Sequence, residues 1–506
     1  MRILVLLIPT CIFAQLGAPA SQGQPARANQ LPLSGRGGQS GSVSATESPV
    51  AGTTNSVNTI NPTIQIQGPF AGSAAGTAPF PAALSFREAI NRGLQYNLGT
   101  VGLSNQVRQA HGQARVSRSE LLPNVSGNLT ETVQQLNLAA SGFRFHIPIP
   151  GVSIPSIVGP YNYFDLRASL SQTVVDMSAW NNYRAAKENL IANQMSAKDA
   201  RDLVVLAVGG AYLQVVVATA RLQAVQAQLD TANALYRQTS QQRTVGLVAQ
   251  IDVNRSRIGV LQQQQRLVTL QNDLAKQKIN LARLVGLPPN DHFNVTDTVP
   301  FSSAPEISLD EALKQAFGER WDLKAAETQV KAAVRAKSAA RAERLPSVSL
   351  SANYGVIGED PANSHGTFSI AGSLKFPIWQ SGRIEGDIEQ ADAAVVQRQA
   401  ELEDLRSRVE SEVRNAYLDL DAARTQREVA QENLQVNQEN LKLSRQRFEA
   451  GVTDNVEVVQ SQEFVAAAEL DYINSVFAHN IAKLSLARAM GQAADKLPQF
   501  LQINSQ

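Results

Sequence analysis

Carboxylates at two matched places are the residues here best positioned to do chemistry. Asp252 follows the segment Thr244-Val-Gly246-Leu-Val248, and Glu457 follows Glu449-Ala-Gly451-Val-Thr453; the two acids lie 205 residues apart. Asp454 sits between the second segment and Glu457. An acid just inside a helix start is favoured by the helix dipole, and Asp454 also suits an N-cap. Other candidates for catalysis fail on spacing. The five histidines (His111, His146, His292, His365 and His479) show no metal-ligand spacing. No serine or cysteine nucleophile motif is present. Glu401, Glu403 and Asp404, like Glu410 and Glu412, are interleaved with arginines, the pattern of a solvated helix face rather than of an acid–base pair. The chain reads as a non-enzyme without cofactor or metal.

The elements that must hold these acids occur twice. Ser85-Phe-Arg-Glu-Ala-Ile returns as Ser308-Leu-Asp-Glu-Ala-Leu, Glu120-Leu-Leu-Pro-Asn-Val-Ser as Glu343-Arg-Leu-Pro-Ser-Val-Ser, and Leu281-Ala-Arg-Leu-Val-Gly as Leu486-Ala-Arg-Ala-Met-Gly. A period near 200 residues exceeds any solenoid unit and implies a duplicated half-protein. Each half opens on a capping box, Ser85 with Glu88 and Ser308 with Glu311, and runs about 35 helical residues to Pro123 or Pro346.

Period-two alternation follows each proline. Val125, Gly127, Leu129 and Val133 interleave with Ser126, Asn128, Thr130 and Thr132; Val348, Leu350, Ala352 and Tyr354 interleave with serines and Asn353. Second strands follow over Phe164–Leu170 and Phe368–Leu374. Each strand has one apolar and one polar face, and about 10 residues is enough to cross a bilayer as a tilted strand. A hairpin resting on a soluble core shows the same local pattern. Trp180, Trp379, Tyr161, Tyr163 and Phe164 lie near strand ends, where an aromatic girdle would sit; Trp379 also suits a buried place at the entry to the next helix.

Proline-free helices then run from about Ala179 to Val245 and from Arg383 to Ala450. In the second, Ile384, Ile388, Ala391, Val395, Leu402, Leu405 and Val409 step by threes, fours and sevens, a coiled-coil seam. At 1.5 Å per residue, about 65 residues make a rod of roughly 100 Å. Gly246 and Gly451 stop the rods. Return helices, Ile251–Val285 and Val456–Met490, cover half a rod, so Ile251–Val285 and Asp310–Leu345 should stack end to end.

The 506 residues carry 45 basic and 44 acidic side chains, a balance in which nothing suggests a nucleic-acid footprint. Residues 1–20 read as a signal peptide, with Ala18-Pro-Ala20 as a cleavage site. Cys11, the only cysteine, fits a lipid-attachment motif poorly. No later run is apolar enough for a spanning helix, so entry into a membrane requires a β-barrel. The expected organisation is a flexible, low-complexity leader 21–83, a first repeat 84–286 with its hairpin at about 124–175, a linker 287–307, a second repeat 308–491 with its hairpin at about 347–377, and a tail 492–506.

Over about residues 84–492 the chain resembles the TolC family of outer membrane efflux proteins. The resemblance is carried by the duplicated helix–proline–strand order, by Leu374-Lys-Phe-Pro-Ile-Trp-Gln-Ser-Gly382, and by Phe448-Glu-Ala-Gly451-Val with Glu457 beyond. Ser171-Gln-Thr-Val-Val-Asp-Met-Ser178 lacks the counterpart of Gly382. The resemblance implies an α+β membrane protein: four strands per chain in a trimeric 12-stranded β-barrel, continued by a coiled-coil α-helical barrel into the periplasm, with an internal two-fold structural repeat. It implies a homotrimer embedded in outer-membrane lipid, a passive exit duct coupled through a periplasmic adaptor (membrane fusion) protein to an inner-membrane pump. Asp252, Glu457 and Asp454 would then ring the periplasmic mouth, where like carboxylates repel anions and attract cations. Gly246, Leu247, Gly451 and Val452 would meet the adaptor. The competing reading is an exported coiled-coil scaffold or adaptor without a pore.

Overall fold

The computed structural model describes residues 41–50, 59–76, 83–140, 142, 155–289, 292–297, 307–453 and 455–495. The signal segment with Cys11, Asp454, most of the loop 138–156 and residues 496–506 therefore lie outside the description. Strands β1 (Ser42–Val50), β2 (Thr59–Gln67) and β3 (Ala83–Leu84) precede helices α1 (Phe86–Tyr96) and α2 (Leu98–Ser119). Then come β4 (Asn124–Asn137), β5 (Ile157–Val175), α3 (Met177–Thr244), α4 (Gln250–Leu284) and β6 (Asn294–Val295). The order resumes with α5 (Leu309–Glu319), α6 (Trp321–Ala342), β7 (Ser347–Gly358), β8 (Ser364–Lys375), α7 (Arg383–Glu449) and α8 (Asn455–Ala489).

Among the described residues, packing divides the chain into two units, one of Gly112–Lys187 and Ala332–Ala394, the other of 41–111, Glu188–Lys331 and 395–495. The first holds one antiparallel sheet in the order β4-β5-β7-β8, with β4 and β8 as its edges. On its helical segments Arg383 bridges Glu343 at 2.7 Å and Asp387 at 2.8 Å, and Lys337 pairs with Asp392.

The second unit holds the main core. Val204, Val205, Ala207, Val208, Tyr212 and Val215 of α3 are buried there with Leu84, Phe86, Leu281, Val285, Leu486 and Met490. An 18-residue window of α3 is long and apolar enough to cross a membrane, contrary to the sequence expectation, but 72% of it is buried within the protein. Its hydrophobicity serves packing.

Each half opens on the expected cap: Ser85 Oγ accepts the Glu88 N–H at 3.2 Å, and Ser308 Oγ accepts that of Glu311 at 3.3 Å. The single 35-residue helix expected after each cap is instead two helices of 11 and 22 residues. Asn97 breaks the first pair: its Oδ1 accepts the Gly99 N–H at 2.8 Å and its Nδ2 donates to Phe70 O at 2.9 Å. In the second pair the backbone of Arg320 is extended, and Asp322 Oδ1 accepts the Leu323 N–H at 2.9 Å. Side-chain caps thus outcompete continuation of the helix.

Arg320 anchors a buried charge cluster at this break. It bridges Asp322 at 2.6 Å and Glu412 at 2.5 Å, and donates to Ala489 O at 3.3 Å in the last turn of α8. Nearby Arg488 bridges Asp199 at 2.8 Å. Burial pushes Asp199 up to about 6, against the pull of Arg488.

The leader is the largest departure from expectation. Ser42–Val50 and Thr59–Gln67 pair as an antiparallel hairpin, which packs on α3 and α8 through Ile64 and Ala45. A Cβ built on Gly210 of α3 would fall 1.7 Å from Ile64 Cδ1, so glycine there makes room for the knob. Gly210→Val is expected to cost about 1–3 kcal/mol of local overpacking and to lift the hairpin. Limited proteolysis checks this: cleavage within 42–67 should accelerate in the variant, and unchanged cleavage would show that the knob is dispensable.

Candidate functional site

The helix tips are built by matched C-caps. Gly246 and Gly451 take left-handed φ values of 80° and 72°. Leu247 N–H reaches back to Gln242 O and Val452 N–H to Arg447 O, both at 2.9 Å, while the two glycine N–H groups bond to Arg243 O and Phe448 O. This double bond pattern closes a helix at a left-handed residue. It throws the next side chain outward: Leu247 is 73% and Val452 69% exposed.

The tip acids are held differently. Asp252 Oδ2 accepts the Ala249 N–H at 3.3 Å, and Oδ1 faces Arg255 Nη1 at 3.4 Å. Its carboxylate thus caps its own helix. Glu457 Oε1 faces Arg447 Nη1 at 3.3 Å and accepts Ser444 Oγ at 3.3 Å, while Oε2 accepts Thr453 Oγ1 at 2.5 Å. It lines a groove of about 610 Å³ with Ser444, Arg447, Val452, Gln460 and Ser461.

Beneath the tips, hydroxyl pairs repeat at the 205-residue offset. Thr239 Oγ1 donates to Ser256 Oγ at 3.0 Å, and Ser444 and Ser461 lie 2.9 Å apart. Asn455 Nδ2 donates to Ser256 Oγ at 2.9 Å and Asp252 O at 3.3 Å, so the start of α8 is seated on α4. Sequence reading missed these pairs, although the offset that matched the glycines would have aligned them, and it missed Arg447, whose counterpart at that offset is Gln242.

The sheet separates its faces cleanly. Cross-strand rows Val125-Leu170-Ala352-Ile370, Gly127-Ala168-Tyr354-Phe368 and Leu129-Leu166-Val356-Gly366 form one face. Rows Ser126-Ser169-Asn353-Ser369 and Asn128-Arg167-Gly355-Thr367 form the other. Val125, Leu129, Leu166, Tyr354, Phe368 and Ile370 are all exposed. A continuous apolar face of this extent marks contact with lipid or protein.

The five expected girdle aromatics do not share a face. Phe164 alternates with the apolar Leu166, but Tyr161 and Tyr163 fall on the side of Asp165 and Arg167, opposite to a lipid-facing belt. Tyr161 Oη accepts from Gln134 Nε2 at 2.6 Å. Trp180 is half-exposed on α3 beside Tyr183, ring centroids 6.1 Å apart. Trp379 is 82% exposed, not buried at the helix entry.

The catalytic candidates are consumed structurally. Glu401, Glu403, Asp404 and Glu410 pair with Arg398, Arg406, Arg408 and Arg414 along α7. Burial, with Lys483 adding to it, pushes the His479 imidazole down to about 4. Among the described residues no three His, Cys, Asp or Glu side chains converge to hold a metal.

Comparison with known proteins aligns with this geometry. The family model described as outer membrane efflux protein matches residues 104–287 and 312–492. A curated relative, the pyoverdine export outer membrane protein OpmQ of Pseudomonas aeruginosa, is 24% identical over 396 residues, spanning 76% of this chain and 80% of that protein. The toluene efflux pump outer membrane protein TtgC of Pseudomonas putida is 22% identical over 404 residues, 75% of this chain and 77% of that protein. Among solved structures, the Campylobacter jejuni CmeC outer membrane channel superposes with a TM-score of 0.71 at 19% identity, covering 83% of this chain and 87% of that one.

Proposed function

The chain belongs to the outer membrane efflux protein family, and on that premise we propose that it works as a trimeric, passive exit duct through the outer membrane. It is an efflux channel protein of a Gram-negative outer membrane, extending into the periplasm, and not an enzyme. The observation that carries the finer reading is the sheet: four strands, one exposed apolar face, one polar face, and two edges unpaired among the described residues. Open edges are not tolerated in lipid, because each unmatched backbone group costs several kcal/mol. Four strands cannot close; three copies supply twelve, with the serine, asparagine and threonine rows lining a wet lumen. A pore-free scaffold gives no reason for the apolar face.

The remaining roles follow from this assembly. The two halves act as structural repeats, and α3 and α7, of 68 and 67 residues, line the periplasmic duct. Exposed Leu247 and Val452, beside Gly246 and Gly451, form the surface for a periplasmic adaptor, which couples the duct to an inner-membrane pump. Glu457 gives the mouth its negative ring. Asp252 contributes less to it because it is turned to its helix start, and a contribution from Asp454 is proposed from the sequence alone.

Fractionation tests the duct. The protein should stay with outer membranes through carbonate washing and run as a trimer until heated; a soluble monomer would end the reading. Glu457→Gln should shift ion preference in planar bilayers toward anions. A charge about 4 Å from a passing ion is worth about 1 kcal/mol in water, which sets the change at up to about fivefold. An unchanged preference removes Glu457 from the mouth.

A further inference from the structure

Another cavity, remote in sequence from the helix tips, lies within the unit that holds the main core, and it carries uncompensated positive charge. It measures about 420 Å³ and is walled by α2, α3 and α6. Its apolar lining is Val107 of α2, Ile191, Met195 and Ala197 of α3, and Trp321, the first residue of α6. Thr328 Oγ1 donates to Met195 Sδ at 3.5 Å and ties α6 to α3 there. Lys198 Nζ lies 4.0 Å, and Lys324 Nζ 4.5 Å, from the centroid of the Trp321 ring. Two ammonium groups therefore share one indole. The ring attracts each of them but does not cancel their charge. Among the described residues no carboxylate bridges either lysine. Acids close by in sequence are committed elsewhere: Asp199 to Arg488, Asp322 to Arg320, and Glu327 to Arg406.

The second half shows how the same place is neutralised from within. At the repeat offset of 205 residues, Lys198 corresponds to Glu403; at the earlier offset, that of Ser308 from Ser85, the lining residue Ser104 corresponds to Glu327. Arg406 bridges Glu403 at 2.8 Å and Glu327 at 3.1 Å. In the first half Arg201 stands at the place of Arg406, with a lysine and a serine at the positions of the two glutamates. Trp321 has Leu98 as its counterpart, so the indole is also particular to this seam. The cationic, aromatic character is not a by-product of duplication.

We propose that this cavity binds a small organic anion with a flat aromatic body, an arylcarboxylate or arylsulfonate, one per chain. The acid group takes the charge of Lys198 and Lys324, and the ring lies on Val107, Ile191 and Met195. The volume falls in the range of small-molecule pockets, which are mostly apolar with a few convergent polar groups. A thioether and an indole favour a flat ring. Two ammonium donors without an acceptor favour an anion over its neutral analogue. The site is separate from the acids and the exposed apolar residues of the tips, and it stands whether or not the chain forms a duct.

Calorimetric titration of the full-length protein in a non-ionic detergent tests the site, with 2-naphthoate as the probe, 2-naphthamide as its neutral twin, and the heat of each probe in protein-free micelles subtracted. Naphthoate should bind saturably, one per chain, and naphthamide about tenfold more weakly or worse. Lys198→Gln with Lys324→Gln should weaken naphthoate by about tenfold or more, the scale of losing two solvent-facing charge contacts, and leave naphthamide nearly unchanged. Lys198→Glu alone, at an exposed position where the fold tolerates it, should weaken naphthoate at least as much. Val107→Trp, which fills the apolar wall, should weaken both probes. Equal naphthoate affinity in the wild type and the lysine variants would overturn the site, as would parallel loss of both probes in those variants. Absence of saturable binding at millimolar naphthoate would overturn it as well.

Discussion

Phe368→Arg or Ile370→Arg is expected to empty the outer membrane of this protein. Both side chains stand exposed on the apolar face of β8, in rows completed by Tyr354 and Ala352. Arginine on the lipid face of a barrel costs about 2–4 kcal/mol near the bilayer midplane and little near the interfaces. The proposed trimer would carry the substitution three times, so the cost would approach the whole stability of an ordinary domain. The matching control is Ser369→Arg, one residue away on the polar face. Membrane content after carbonate washing should fall at least tenfold for Phe368→Arg and stay near wild type for Ser369→Arg. Equal behaviour of the two variants would mean that the apolar rows do not face lipid.

The second large effect is expected at Arg320→Met. The arginine side chain is only 2% exposed, between Asp322 and Glu412. Removing one member of a buried ion pair costs about 3–5 kcal/mol, because the other charge is left without compensation. The sign of the pH dependence follows from Asp322. Burial pushes its carboxyl up, but the hydrogen bond and charge of Arg320 more than offset this and hold it below the usual range. In the native protein that depression contributes stability above the unfolded carboxyl value, lost as pH falls through the lower folded one. In Arg320→Met those two effects are gone and burial is opposed only by Arg488 and the Leu323 N–H, so the folded carboxyl moves up. Protonation then relieves the penalty as pH falls. Asp199, already raised to about 6 by burial, also loses the help of Arg320 and moves the same way. Thermal unfolding in detergent should show a larger deficit for the variant at pH 7.5 than at pH 5. A deficit independent of pH would mean that lost packing, not stranded charge, is responsible.

Much of this was legible because it depends on local pattern. Alternation at 347–358 reads directly as a two-faced strand, since successive side chains of β7 point to opposite sides. Ser85 and Ser308 announce helix starts, and Gly246 and Gly451 announce helix stops, because capping needs a hydroxyl acceptor and a left-handed residue. What escaped depends on distant partners. Asn97 and Arg320 look like ordinary helix residues until Phe70 O, Glu412 and Ala489 O are brought to them by the fold. The leader looked structureless by composition, yet Ile64 and Ile66 alternate, and Ile64 finds its socket at Gly210, far along the chain. Tyr161 and Tyr163 were grouped with Phe164 by proximity, although strand period two sends neighbours to opposite faces.

The N-terminal hairpin carries a consequence for symmetry. It lies over the seam of α3 and α8 through Ile64 and Ala45, while the repeat-related side of α7 and α4 leaves Leu418 and Val268 bare within the chain. A ring of three such chains would therefore alternate padded and unpadded furrows around its girth, not six alike. A partner gripping it at that height would meet two unlike kinds of seat.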